Sequence, residues 1–324
     1  MSASKQTLLD PAFLRKLEHL RIQARRAFPG TMRGERRSTR RGASVEFRDF
    51  RKYEAGDDFR HVDWSIFARL ERLMLRQFVE EEDVRIDILI DQSRSMRFGS
   101  PITKFDFARR AAAALAFLAV GSLDRVSVAT FDAELRSRTR ALRGRGHLHA
   151  VLAFLEGLGQ QTDLYKTIDE NTESEDGRSE TERSEGAGVP TSIGSVVRNY
   201  QRSTVKPGVV FMISDFLDEN DFHLELKLLA QRGFDLNLIQ VLTPEELEPK
   251  LRGDLALVDS ESGAVRDVSV NDRMLASYRK ALGEHTKSLE MFCRSAGIAY
   301  MITRVDISFE DLLLRDLLRV RMAE

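Results

Sequence analysis

The stretch VRIDILIDQSRSM, residues 84–96, decides how this chain is read. An apolar run ends on Asp91 and a polar loop follows at once, the pattern of a strand buried on both faces that delivers its last residue to a sheet edge. After the loop comes KFDFARRAAAALAFLAV, residues 104–120, a helical pattern closed by Gly121 as a C-cap. Outward from this unit the rhythm repeats. Strands over 125–131, Val209–Ser214, Asp235–Val241 and Ile298–Thr303 alternate with helices over Leu148–Leu158, Ser192–Arg202, Phe222–Gln231 and Asn271–Ala296. Such alternation requires right-handed crossovers and predicts a doubly wound, Rossmann-like α/β fold around a mostly parallel sheet. Residues 255–270 predict a hairpin turning at Ser262-Gly263, and a last helix opens with the capping pattern Ser308, Asp311.

Upstream of Val84 the organisation differs. Residues 1–30 read as a helical segment, with Leu14, Leu17 and Leu20 three apart, ending at Pro29-Gly30. Residues 31–82 read as a small N-terminal β-containing subdomain, with β-like stretches over Ala43–Phe50 and Leu73–Glu80. Residues 83–324 form the main domain. It is interrupted near 160–188 by an acidic insertion with almost no apolar residues, expected to be disordered or mobile because it cannot pack a core.

Composition narrows the function classes. With 42% hydrophobic and 31% charged residues, the 324-residue chain has the balance of a globular protein with a sizeable core. A net charge of -1 gives the whole chain no electrostatic footprint for nucleic acid or anionic membrane. The arginine-rich segment 33–52 is the one place where a nucleic-acid binder would have to start. Cys293 is the only cysteine, which excludes an intrachain disulfide and a thiolate-rich zinc site and fits a reducing, cytoplasmic setting. No secretory signal is visible at the N-terminus, and the longest apolar run, Ala111–Val120, is about half the length of a transmembrane helix.

Asp91, Ser93 and Ser95 carry the strongest chemical signal. In open α/β sheets ligands bind beyond the carboxyl ends of the strands, and residues at i, i+2 and i+4 of an extended loop can aim three oxygens at one point. One carboxylate and two hydroxyls make a hard, oxygen-only set suited to Mg2+, with Mn2+ or Ca2+ as substitutes, whereas zinc prefers nitrogen or sulfur. The structural alternative is a loop whose Asp and Ser cap the next helix. Two more oxygen donors fall where the same sheet rim is expected: Thr191 at a helix start and Asp215 directly after the strand VVFMIS.

These residues resemble the metal-ion-dependent adhesion site (MIDAS) of von Willebrand factor A-like domains. Over roughly residues 30–320 the chain is similar to the bacterial family called domain of unknown function 58. The resemblance is carried by GASVEFRDFRKYEAGDDFRHVDWSIFAR (42–69), LMLRQFVEEEDVRIDILIDQSRSM (73–96) and VVFMISDFLD (209–218). It implies that Asp91, Ser93 and Ser95 are the first-loop metal ligands, that Thr191 takes the second-loop role, and that Asp215 acts as the water-mediated carboxylate. Thr162 also fits the threonine role. Thr191 is preferred because the interval to Asp215 has room for one helix and one strand, and Ser192 is a substitute ligand. Arg94, Ser192, Asp57, Asp58 and Arg60 are the candidate partner contacts.

The expected function is therefore a non-enzymatic, Mg2+-dependent protein-interaction module. A partner's acidic residue completes the ion's shell, and the resemblance implies work beside a MoxR-type AAA+ ATPase in the assembly or remodelling of client proteins. Gly56, Asp57, Asp58, Arg60, Asp63, Trp64 and Arg69 match the family's signature, with Trp64 expected to anchor the subdomain on the main sheet. Asp57, Asp58, His61 and Asp63 are close enough in sequence to suggest a metal-dependent hydrolase as a rival. No phosphate loop, dinucleotide fingerprint or nucleophile elbow is present.

Overall fold

In the computed structural model the described residues are Arg15, Leu17, Glu18 and 46–54, 57–79, 85–121, 124–172, 192–204, 206–218, 220–260 and 264–307. Two units divide the chain: Met1–Ala24 with Val84–Glu324, and Arg25–Asp83. The N-terminal segment, read from sequence as an element of its own, thus groups through Ala24 with the larger unit, and Leu17 is fully buried in that unit's core.

The smaller unit is built on strands β1 (Glu46–Lys52) and β2 (Met74–Val79), paired antiparallel with an irregularity between Phe47 and Asp49. Between them lie a 3-10 turn, Phe59–His61, and helix α1, Trp64–Leu70. Each starts on an aspartate that accepts hydrogen bonds from the backbone amides of the first turn, the usual way a short helix begins. Helix α1 stops where Glu71 enters the left-handed region at φ 51°.

In the larger unit the expected alternation produces a six-stranded sheet. Its strands are β3 (Arg85–Asp91), β4 (Arg125–Phe131), β5 (Leu135–Arg138), β6 (Val209–Ser214), β7 (Asp235–Leu242) and β10 (Ala299–Arg304), in the order β10-β7-β6-β3-β4-β5. All neighbours are parallel except β5, which runs antiparallel to β4 and has no counterpart in the sequence reading, because LRSR is four residues with a single apolar position, too short to show strand periodicity. The hairpin exists as a separate two-stranded sheet, β8 (Gly253–Val258) with β9 (Val265–Val270). Its Ser262-Gly263 turn and the helix expected after Ser308 lie outside the described residues.

Strand alternation sends Ile88 and Ile90 into one core and Leu89 into another, so helices cover both sheet faces. One face takes α2 (Lys104–Gly121) and α3 (Arg145–Thr172). Helix α2 is apolar nearly all round, and Ala111–Ala114 and Ala116 are fully buried; their small side chains let the helix lie close to the sheet. The other face takes α4 (Ile193–Ser203), α5 (His223–Gln231) and α7 (Asp272–Ala296), and a single turn, α6 (Pro244–Leu247), follows β7. On α4 the buried set Ile193, Val196, Val197 and Tyr200 recurs at helical spacing, and burying each such side chain contributes about 1.5–3 kcal/mol.

The acidic insertion departs from expectation at its start. Helix α3 continues to Thr172, so residues 160–172 have helical backbone rather than none. No Gly or Pro interrupts QQTDLYKTIDENT, and a helix already anchored through Val151, Leu155 and Leu158 elongates at little further cost. Residues 173–191 lie outside the described set. Among the described residues no helix is long and apolar enough to cross a membrane.

Candidate functional site

Because β3 is central and parallel to both neighbours, its last residue, Asp91, emerges at the carboxyl edge beside the end of β6. The loop that follows is pinned rather than open. Gln92 N donates to Phe131 O at 2.8 Å, and Met96, in the 3-10 turn Ser95–Arg97, is wholly buried in the core. With those ends fixed, Ser93 N donates to Asp91 Oδ1 at 2.9 Å and the Ser93 and Ser95 hydroxyl oxygens lie 3.0 Å apart. The capping alternative does not describe this loop, since Arg94, not Asp91 or Ser93, is the residue before the 3-10 turn and it makes no side-chain cap.

The opposite wall comes from the end of β6. Ser214 Oγ donates to Asp91 Oδ2 at 2.6 Å and accepts from Phe216 N at 3.0 Å. Asp215 Oδ1 accepts from Leu217 N at 3.2 Å, and its backbone oxygen accepts from Gln240 Nε2 of β7 at 2.7 Å. Gln240 is held in turn by the Tyr300 hydroxyl of β10. Phe216, at φ 52°, sits in the left-handed region, a strain of about 1–2 kcal/mol for a non-glycine residue, and its complete burial keeps the turn in place. Three neighbouring strands thus fix where Asp215 stands.

Asp91 is 1% exposed, and among the described residues no arginine or lysine pairs with it. Burial, reinforced by the negative charge of Asp215, pushes its carboxyl up to about 7; the Ser214 and Ser93 donors oppose that shift without cancelling it. Asp215 is 4% exposed and has a different partner: Lys104, the first residue of α2, whose Nζ lies 2.8 Å from Asp215 Oδ2 and also bonds Glu246. Burial alone would lower the Lys104 pKa, but the two carboxylates outweigh it and leave the pKa raised. Lys104, Glu246, Ser214 and Gln240 were not foreseen. One signal for Lys104 was available: an ammonium at the start of an apolar helix opposes the helix dipole and calls for local acids.

The donor set fits a hard divalent cation. A buried carboxylate kept uncompensated next to a second carboxylate, with two hydroxyls 3.0 Å apart on the adjoining loop, has the oxygen chemistry such an ion needs. Asp91, Ser93 and Ser95 would hold it, with Asp215 behind them. Thr191 lies outside the described residues, and Thr162 falls within α3. Ser192 is the N-cap of α4, its hydroxyl accepting from Ser195 N at 3.4 Å. With Glu134, Ser195, Arg198, Arg202 and Asn220 it lines an open groove of about 420 Å3 along α4.

The acids of the smaller unit have partners close in sequence. Asp57 takes Arg51 Nη2 at 2.6 Å and Glu54 N at 2.9 Å. Asp58 accepts from Arg60 N at 3.0 Å, and Asp63 accepts from Ser65 N and Ile66 N. Among the described residues no group of three or more His, Cys, Asp or Glu is placed to hold a metal. Trp64 begins the short helix α1, is 59% exposed and meets Phe67 edge-on. Arg60 and Arg69 are exposed, and Gly56 lies outside the described residues.

The molecule is an α/β protein whose central, mostly parallel sheet carries an acid-and-hydroxyl site at its carboxyl edge. The chain belongs to the family described as Protein of unknown function DUF58, which matches residues 49–288. Uncharacterized proteins of Mycobacterium bovis and Mycobacterium tuberculosis are each 26% identical over 298 residues, covering 92% of this chain and 86% of theirs. Two solved structures show a loose likeness. The conserved hypothetical protein BatB of Bacteroides thetaiotaomicron has a TM-score of 0.38 at 16% identity, covering 74% of this chain and 99% of that one. An aerotolerance-related membrane protein of Bacteroides fragilis has a TM-score of 0.39 at 15% identity, with coverage of 73% and 99%.

Proposed function

We propose that the larger unit is a von Willebrand factor A-like module that binds one Mg2+ through Asp91, Ser93 and Ser95, with Asp215 behind them, and uses that ion to hold a protein partner without catalysing a reaction. The observation that carries this reading is Asp91: a carboxylate 1% exposed at the carboxyl edge of the central strand, supplied with hydroxyl and amide donors but with no arginine or lysine among the described residues. An ion with a single direct carboxylate stays electrophilic, which suits an incoming aspartate or glutamate from the partner. Arg94, half-buried within the loop, and the groove along α4 bordered by Ser192, Arg198 and Arg202 are the proposed contact surface. Following the family resemblance, we assign the partner to a MoxR-type AAA+ ATPase and place the pair in the cytoplasm. A pull-down of that ATPase by the full chain, with and without chelator and with Asp91→Ala, tests the reading. Retention should require both the ion and Asp91; retention unchanged by either intervention overturns it.

A further inference from the structure

The rim contains a permanent cation of its own. Lys104 is fully buried, its Nζ lies 2.8 Å from Asp215 Oδ2, and it also donates to Glu246 Oε1. Both acids are fixed independently of it. Asp215 Oδ1 already accepts from Leu217 N, and Glu246 Oε2 accepts from Thr243 N at 2.8 Å within the capping box that opens α6. The lysine backbone is fixed as well, with Lys104 N donating to Phe98 O at 3.0 Å. An ammonium at a helix start is opposed by dipole and by desolvation, so only the paired carboxylates account for its place there.

The result is an asymmetry across the site. Both Asp215 oxygens are engaged, one of them by the Lys104 ammonium that it shares with Glu246, whereas among the described residues Asp91 has hydroxyl and amide donors alone. We infer that Lys104 is the specificity-determining residue of the rim: by engaging Asp215 Oδ2 in place, it confines a divalent cation to Asp91, Ser93 and Ser95 and leaves that ion short of negative ligands, so that an acidic group from outside completes it. This deepens the reading given above and depends on it. Without the lysine, Asp215 becomes available to the ion directly, the ion is held more tightly, and its demand for an external carboxylate falls.

Mn2+ affinity, measured by electron paramagnetic resonance on the full chain, separates the possibilities when Lys104→Met and Asp215→Asn are made singly and together. Lys104→Met should tighten Mn2+ about tenfold. Asp215→Asn should weaken it about threefold with Lys104 present and thirtyfold or more without it, since only then does the carboxylate face the ion. Equal factors in the two backgrounds, in chains shown to be folded by circular dichroism, overturn the inference: Lys104 then contributes background charge and nothing specific. If Lys104→Met does not fold, Glu246→Gln replaces it. That variant leaves the ammonium to Asp215 alone, so the effect of Asp215→Asn should shrink below twofold, and an undiminished effect overturns the inference. Equal Mn2+ binding by wild type and Asp91→Ala removes the cation site altogether, a result distinct from loss of the Lys104 coupling alone.

Discussion

Asp87 and Asp91 stand four residues apart on the same strand, face the same side of the sheet, and are each 1% exposed. Their surroundings are opposite. Asp87 accepts from Arg85 at 2.8 Å, Arg138 at 3.3 Å, Ser127 and the Tyr200 hydroxyl, so its charge is matched deep in the sheet by two guanidinium groups. Asp91, at the strand's end, has among the described residues hydroxyl and amide donors only, and a second acid beside it. The contrast teaches that burial of an acid does not by itself mark a site. Asp87 ties β3, β4, β5 and α4 together, whereas Asp91 is left with a charge that something else must satisfy.

The sharpest way to test that contrast is to remove each carboxylate. Asp87→Ala strands two arginines and a tyrosine hydroxyl, and should destabilise the chain by about 3–5 kcal/mol in urea denaturation, with no change when Mg2+ is added. Asp91→Ala should weaken Mn2+ binding by about a hundredfold in calorimetry while leaving metal-free stability equal to or above wild type, because an uncompensated buried charge is gone. If both variants behave alike, the distinction between the two acids is lost.

The pH dependence comes next in size. The folded Asp91 titrates near 7 against a reference of 3.8, so between those values the folded chain holds a proton that the unfolded chain has released. Its contribution to stability is complete below the unfolded value and disappears as pH rises through the folded one. In chelator, stability should fall by about 2 kcal/mol between about pH 5 and about pH 8, and Asp91→Asn should remove that slope. Metal binding runs the other way and should tighten as pH rises through 7, since the ion requires the carboxylate. The smallest effect belongs to the smaller unit. Asp63→Ala deletes the cap of α1 and should lower that unit's stability by about 1 kcal/mol without altering Mn2+ affinity.

Much of the fold was legible because apolar runs in a parallel sheet and the helices between them announce themselves by period. Strands β3, β4, β6, β7 and β10 fall where the sequence placed them to within a residue or so. β5 was invisible because Leu135–Arg138 alternates nothing and pairs at an edge. Of the site, the loop Asp91–Ser95 and Asp215 could be read from strand ends, since a strand's last residue has a predictable place. The pairing of Lys104 with Glu246 could not: they lie 142 positions apart, and their meeting depends on how the loops before α2 and after β7 fold against each other. The acids of 57–63 show the limit of the other signal, because clustering in sequence says nothing about whether each carboxylate turns to a shared point or to the nearest backbone amide.

One border of the sheet has a consequence for the molecule in bulk. β5 is four residues long, runs against its neighbour, and presents Arg136 and Arg138 among mostly exposed positions. A short, reversed margin of charged side chains is a poor template for another chain's strand, so on that side the sheet is self-limiting, and crowded copies of the protein have no ready path to ribbon-like stacking there.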